Sequence, residues 1–131
     1  YFKPPLNVNT LNEGQFDICD TKAFAFKQLH GYENTFGYKV GNFVYSTDVK
    51  EFPKASEKYL YGLDLWVVDC VRYEPHYSHS HFEQTISWIK KFKPKKAVLT
   101  HLGAWLDYDK LKKLCPVNVE PGYDGLIMNL T

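Results

Sequence analysis

The chain contains 131 residues, of which 44% are hydrophobic and 24% charged, and its formal net charge is +1. This length suits one domain or one half of a larger one, and the composition is that of a globular protein rather than a disordered or collagen-like chain. The near-neutral charge disfavours a role dominated by nucleic acid or a membrane surface, and the apolar runs are far shorter than the roughly 20 residues that span a bilayer. Cys19, Cys70 and Cys115 form no C-x-x-C pair, which predicts free thiols in a reducing compartment such as the cytoplasm.

The chain starts at Tyr1 rather than at Met, and its first residues carry no signal-peptide pattern. We therefore expect a processed, truncated or split polypeptide rather than a natural start.

The first half of the chain is rich in strand signals. Residues Phe16–His30 alternate as one extended stretch, in which Phe24, Phe26, Gln28 and His30 share a face. Two short β-rich runs, Thr35–Val40 and Phe43–Ser46, flank Gly41-Asn42 and predict a tight hairpin.

The second half alternates strand and helix. Its predicted elements are a short helix between Pro53 and Gly62, strand Leu65–Asp69, a helix that follows Ser80 and runs to about Phe92, strand Ala97–Thr100, helix Asp107–Leu114 and strand Leu126–Leu130. The spacing Ser80-x-x-Glu83 predicts a capping box at the start of the longer helix. This alternation favours parallel pairing and an α/β fold.

Four residues with metal-binding side chains follow predicted strands. His30, Asp48, Asp69 and His101 each stand at the carboxyl end of one. Ligands of α/β proteins bind at that edge of the sheet, and imidazole with carboxylate suits zinc, manganese or iron. A single histidine after a strand is more often an ordinary surface residue, so the prediction depends on the set.

The segment from Arg72 to His81 contains three of the five histidines. His79 lies just before the predicted start of the longer helix, where free amides attract anions, and could protonate a leaving oxygen there. The alternative is a solvated polar helix start, and His76 and His81 favour a function less than His79 does. The lysines between Lys90 and Lys96 offset the dipole at the end of the helix, which is preferred to nucleic-acid binding.

Several motifs follow one another in a characteristic order. They are Thr35–Tyr38, Ser46–Asp48, Leu63–Tyr73, Pro75-His76, His79, Leu99–Leu102 and Glu120–Leu126. Together they resemble the C-terminal half of metallo-β-lactamase-fold hydrolases, and among these the phosphoribosyl cyclic phosphodiesterase group of phosphonate metabolism. The resemblance covers nearly the whole chain, and it is specific for the family rather than for a substrate.

The resemblance implies a role for each matching residue. His30 and His101 would be metal ligands, Asp48 would bridge two divalent ions (zinc or manganese), and His79 would donate a proton or contact the substrate phosphate. Asp69 and Arg72 would orient these groups or contact substrate, as would His76. The intact protein would be a cytoplasmic phosphodiesterase-like hydrolase acting on a small phosphate ester, without a membrane or nucleic-acid partner.

The H-x-H-x-D-H motif that defines the family is absent from the sequence. We therefore expect residues 1–131 to be a single partial domain, the second half of an αββα sandwich with a mixed sheet and packed helices. Alone, the chain would bind metal poorly and be inactive. One alternative is a non-catalytic remnant or split-gene half that self-associates through its exposed sheet or docks to a partner chain. Another is a small unrelated α/β binding domain, which leaves the ordered motifs unexplained.

Overall fold

The computed structural model describes residues 5–130, which form a seven-stranded sheet with three helical segments. In chain order the elements are β1 (Gly14–Ile18), β2 (Thr21–His30), β3 (Glu33–Val40), β4 (Phe43–Ser46), a 3-10 helix (Lys54–Leu60), β5 (Leu65–Asp69), α1 (Phe82–Phe92), β6 (Lys96–Thr100), α2 (Tyr108–Leu114) and β7 (Val119–Pro121). The strands lie in the sheet in the same order. Pairing is antiparallel from β1 to β4 and parallel from β4 to β7, so the prediction of an α/β fold with a mixed sheet is confirmed.

The antiparallel half differs from the sequence prediction at one point. The predicted single stretch Phe16–His30 is wrong, because the chain reverses at Cys19-Asp20 and Ile18 pairs with Thr21. Cys19 has a φ of 51°, the left-handed conformation that a two-residue hairpin requires. The hairpin around Gly41-Asn42 is confirmed, since Val40 pairs with Phe43.

The predicted capping box at Ser80 is wrong. Helix α1 begins at Phe82, and the residue before it, His81, makes no side-chain cap hydrogen bond. Ser80 is buried, and its hydroxyl donates instead to the carbonyl of Asp69 at 2.6 Å. The side chain therefore ties the start of α1 to the end of β5, whereas Glu83 stays exposed.

The last predicted strand is also wrong. Residues Leu126–Leu130 are irregular, and the edge position beside β6 is taken by β7. Pro121 at the end of β7 obscured this strand in the sequence, because proline lacks the amide that a central strand needs. An edge strand tolerates it, and Gly122 continues the contact by donating to the carbonyl of Leu99 at 2.8 Å.

The helical segments pack on one face of the sheet. Trp66 and Val68 of β5 meet Ile86, Ile89 and Phe92 of α1 in this core. Its other buried members are Phe26, Val44, Leu60, Leu63, Cys70, Ala97, Leu99, Leu111 and Val119. The opposite face contains Phe43, Leu65, Val67 and Val98, which line a cavity of about 510 Å³ together with residues 122–128 of the C-terminal segment.

All three cysteines are free, with Cys19 exposed, Cys70 buried and Cys115 partly buried. Within residues 5–130, no helix combines the length and the apolar character needed to cross a membrane.

Candidate metal centre

The direction of the strands brings the predicted site residues to one edge of the sheet. Strand β2 is antiparallel to β3 and β3 to β4, so β2 runs in the same direction as β4, β5 and β6. His30 ends β2 and Asp69 ends β5, while Asp48 lies two residues beyond β4 and His101 directly follows β6. The four carboxyl ends therefore meet, as predicted.

The loop between β5 and α1 adds His79 to this edge. Its base is closed by hydrogen bonds from the Val71 amide to the Ser80 carbonyl (3.1 Å) and from the Phe82 amide to the Arg72 carbonyl (2.9 Å). Its tip reaches β2, because the Ser78 carbonyl lies 2.8 Å from Nδ1 of His30. These contacts place His79 between strands that are distant in sequence.

The imidazole of His79 lies at the centre of the cluster. Its ring centroid is 4.5 Å from that of His30 and 4.7 Å from that of His101. Nδ1 of His79 lies 4.0 Å from Oδ1 of Asp48, and Nδ1 of His101 lies 3.9 Å from the same oxygen. The cluster thus places three imidazole rings side by side, with the Asp48 carboxylate near two of them.

Asp69 is the buried anchor of the cluster, with none of its surface exposed. Its Oδ2 accepts from the Val49 amide at 3.1 Å and lies 2.9 Å from Nδ1 of His79, whereas Oδ1 is buried without a hydrogen-bond partner in the described residues. Burial raises the pKa of the Asp69 carboxyl, and the hydrogen bonds from His79 and Val49 partly offset this. An unpartnered buried carboxylate oxygen is costly unless a further group binds it.

Two residues of the cluster adopt backbone conformations that L-amino acids rarely use. Asp48 has a φ of 53° and His101 a φ of 58°. Such strain persists where the surroundings hold it, and it is common at functional sites. Here Thr35 Oγ1 donates to the Asp48 carbonyl at 2.8 Å, and Thr47 Oγ1 lies 3.2 Å from Nδ1 of His101.

These supporting residues were not predicted from the sequence. Gln28 donates to the Thr47 carbonyl at 3.0 Å, and its side chain is fully buried. A buried glutamine within the alternating pattern of β2 was the available signal. Thr35 and Thr47 lie in two of the motifs quoted above, but the motifs gave them no role. Their roles, like that of Ser78, depend on contacts between distant parts of the chain.

His76 and Arg72 lie beside the cluster rather than in it. Nδ1 of His76 accepts from the amides of Ser78 and His79, both at 3.2 Å. Desolvation, with a smaller effect of the positive charge of Arg72, lowers the pKa of His76, which favours the neutral ring that can accept them. Arg72 donates to the backbone carbonyls of Glu74 (3.2 Å) and Pro75 (2.6 Å).

The donor set fits divalent metal ions. His30, Asp48 and His79 form one group whose potential ligand atoms lie within 4.8 Å of one another, and Asp69, His79 and His101 form a second. His79 belongs to both groups, whereas the sequence analysis gave it a proton-donating role. Nδ1 of His30 is engaged by the Ser78 carbonyl, which leaves Nε2 for a metal, the usual arrangement of ligating histidines.

A family model described as the beta-lactamase superfamily domain matches residues 2–102 of the chain. Among curated proteins, an octanoyltransferase from Porphyromonas gingivalis (strain ATCC BAA-308 / W83) is 32% identical over 114 residues, which are 85% of this chain and 23% of that protein. The chain therefore spans about a quarter of the length of this relative.

Solved structures share the fold. A diphosphatase of the PhnP family has a TM-score of 0.89 and 27% identity, and the match covers 92% of this chain and 48% of that one. The metallo-β-lactamase fold protein YhfI from Bacillus subtilis has a TM-score of 0.74, 14% identity and coverages of 91% and 54%. The short form of human tRNase Z has a TM-score of 0.66, 18% identity and coverages of 88% and 46%. The chain spans about half of each of these structures. It belongs to the β-lactamase superfamily, with a metallo-β-lactamase fold that resembles the PhnP group.

Proposed function

We propose that this chain supplies one half of a two-metal hydrolase centre that acts on small phosphate esters, with phosphodiesterase-like activity. The observation that carries the proposal is the convergence of His30, Asp48, His79 and His101 at one edge of the sheet. The diphosphatase among the structural neighbours supports a phosphate substrate.

Three residues would hold the ions. His30 and His101 would each ligate one metal ion, and Asp48 would bridge the two. Bound divalent ions would lower the pKa of a water molecule and polarise a phosphoryl oxygen. Asp69, which has a buried oxygen without a partner in the described residues, would orient its neighbours.

His79 would assist the leaving group. Asp69 fixes its Nδ1 at 2.9 Å, which leaves Nε2 as the ring nitrogen free to give a proton to the departing oxygen. The amides of Ser78 and His79 bond to His76, which holds the backbone that presents this ring. His76 and Asp69 are thus positioning residues for His79.

The chain alone would be inactive. Its three proposed ligands are divided between two metal positions, and each position needs about four ligands or more. The remaining ligands would come from an H-x-H-x-D-H segment in the other half of the domain, as expected for a match to about half of the solved relatives. Residues 1–131 would then be a partial domain within a longer or associated polypeptide.

A non-catalytic role through association is the second candidate. The sheet face without helices carries Phe43, Leu65, Val67 and Val98, and Tyr45 on the same face of β4 is more than one-third exposed. Such a face favours self-association or docking to a partner chain. Size-exclusion chromatography with light scattering tests this second candidate, because a clean monomer contradicts self-association.

The experiment measures hydrolysis of bis(4-nitrophenyl) phosphate, with added Mn²⁺ or Zn²⁺, by two proteins. One is the 131-residue chain, and the other is the protein encoded by the complete reading frame that contains it. We expect metal-dependent turnover only from the complete protein. His79→Asn in that protein should lower kcat by about 100-fold or more. His81→Asn is the matched control, because asparagine is a good N-cap residue and His81 lies outside both ligand groups. Turnover by the short chain, or equal activity of both variants, contradicts the proposal.

A further inference from the structure

A cavity of about 320 Å³ lies between two of the loops that form the candidate metal centre. It is lined by Arg72, Glu74 and Trp105. Arg72 lies three residues beyond Asp69 and Trp105 four residues beyond His101, so both belong to loops that leave the sheet at the site edge. The Gly103 amide donates to the Val71 carbonyl at 3.0 Å, which joins the loops beside the cavity.

The close approach of the two loops requires glycine. A Cβ atom at Gly103 would lie 2.6 Å from the Val71 carbonyl oxygen and 3.5 Å from Cε3 of Trp105. A larger residue would push the loops apart and change the shape of the cavity between them. Arg72 and Trp105 line the same cavity, and the packing of the two loops at Gly103 fixes that arrangement.

The charge of Arg72 is fixed in place but not neutralised. Two backbone carbonyls hold its Nε and Nη2 atoms, and the residue is half-buried. Across residues 5–130, no carboxylate oxygen lies within 4.0 Å of its guanidinium. A preorganised guanidinium of this kind suits a phosphate oxygen.

The indole of Trp105 is unusually exposed, at 81% of its surface. In the described part of the chain it stacks on no other aromatic ring. An exposed indole offers a flat face on which a planar ring can stack, and stacking of a base on an aromatic side chain contributes substantially to affinity.

We propose that this cavity, the Arg72–Trp105 subsite, binds a nucleoside phosphate. Arg72 bonds a phosphate oxygen, Trp105 stacks on the heterocyclic base, and the Glu74 carboxylate accepts hydrogen bonds from the ribose hydroxyls. The volume is at the lower end of the range for small-molecule pockets, which suits one mononucleotide unit. The inference rests on the proposed function, whose substrate class it narrows to phosphate esters that carry a base.

The test is a metal-free titration of the ¹⁵N-labelled chain with AMP, ribose 5-phosphate and adenosine, followed by NMR. The chain has three tryptophans, and the indole resonance of Trp105 is the one that Trp105→Phe removes. We expect AMP to shift this resonance and to bind about 5-fold or more tightly than ribose 5-phosphate. Trp105→Ala should abolish that advantage without changing the affinity for ribose 5-phosphate.

Arg72→Gln should weaken both phosphate ligands about 10-fold and leave adenosine unchanged. The controls are Val117→Ala and Lys113→Gln, exposed residues away from this cavity. The proposal is overturned if AMP binds no better than ribose 5-phosphate, or if Trp105→Ala has no effect.

The two proposals fail separately. If AMP binding depends on Trp105 but the complete protein shows no metal-dependent hydrolysis, the proposed function is wrong and the subsite stands. If hydrolysis is found but the affinity for AMP does not depend on Trp105, only the proposed subsite is wrong.

Discussion

Nδ1 of His79 lies 2.9 Å from Oδ2 of Asp69, and this contact joins an imidazole that solvent can reach to a carboxylate that is fully buried. Asp69 is held by its place at the end of β5 and by the Val49 amide, which donates to its Oδ2. The ring of His79 is therefore oriented by the sheet as well as by its own loop.

Replacing Asp69 tests this orientation. In the complete protein, Asp69→Asn keeps the size of the side chain but removes its charge, so it should lower kcat about 10-fold or more with little change in KM. The matched control is Asp64→Asn, since Asp64 bonds to Asn42 and Lys95 at the opposite edge of the sheet. An equal loss in both variants would show that the effect is one of general stability.

The backbone at Asp48 predicts a trade-off between stability and metal binding. Its φ of 53° costs a residue with a Cβ atom about 1 kcal/mol, whereas glycine adopts it freely. We expect Asp48→Gly to be more stable than Asp48→Ala by about 1 kcal/mol in urea unfolding. Both variants should bind Mn²⁺ more weakly than the unmodified chain. Equal stability of the two variants would contradict the assigned backbone conformation.

A third prediction concerns the contact between α1 and β5. Thr85 is buried, and its Oγ1 lies 2.7 Å from the Asp69 carbonyl. Thr85→Val keeps the branched shape and removes this hydrogen bond, so the free energy of unfolding should fall by about 1 kcal/mol. Ser87→Ala, on the exposed face of the same helix, should change it by less than about 0.5 kcal/mol. A neutral Thr85→Val would mean that the hydroxyl contributes nothing to holding α1 on the sheet.

The cysteines should differ strongly in their reaction with iodoacetamide at pH 8. Burial raises the pKa of Cys70 to about 12 and that of Cys115 to about 11, so almost no reactive thiolate forms at either residue. Cys19 is exposed in the β1–β2 turn and should be labelled first. Mass spectrometry of the folded protein identifies the labelled residue, and labelling of Cys70 before unfolding would contradict its placement in the core.

The sequence predicted the parallel strands β4, β5 and β6 well but missed β7. The strand Leu65–Asp69 is a run of apolar residues ending in a charge, and the structure has these bounds. The chemistry-bearing residues could be found because each follows a strand, and strands running in one direction end at one edge. The position of His79 between His30 and His101 could not be predicted in this way. It depends on the contact between Nδ1 of His30 and the Ser78 carbonyl in the loop.

The errors have local physical causes. The Cys19-Asp20 turn lacks glycine, so the alternation appeared continuous. Ser80 has the right spacing for a cap, but its hydroxyl donates to the carbonyl of Asp69 instead, because both groups are buried. Leu126 and Met128 are apolar because they line the cavity on the second sheet face, not because they form a strand.

In the proposed half of a metal centre, His30, Asp48 and His101 are the ligands and His79 lies beside them. The most direct measurement is paramagnetic broadening of the NMR spectrum of the 131-residue chain by Mn²⁺, with Asp48→Asn as the comparison. We expect weak binding that broadens the resonances of these four residues, leaves Gly41 and Asn118 at the opposite edge sharp, and is reduced by Asp48→Asn. Broadening centred elsewhere, or tight binding that Asp48→Asn does not change, would contradict a metal site at these residues.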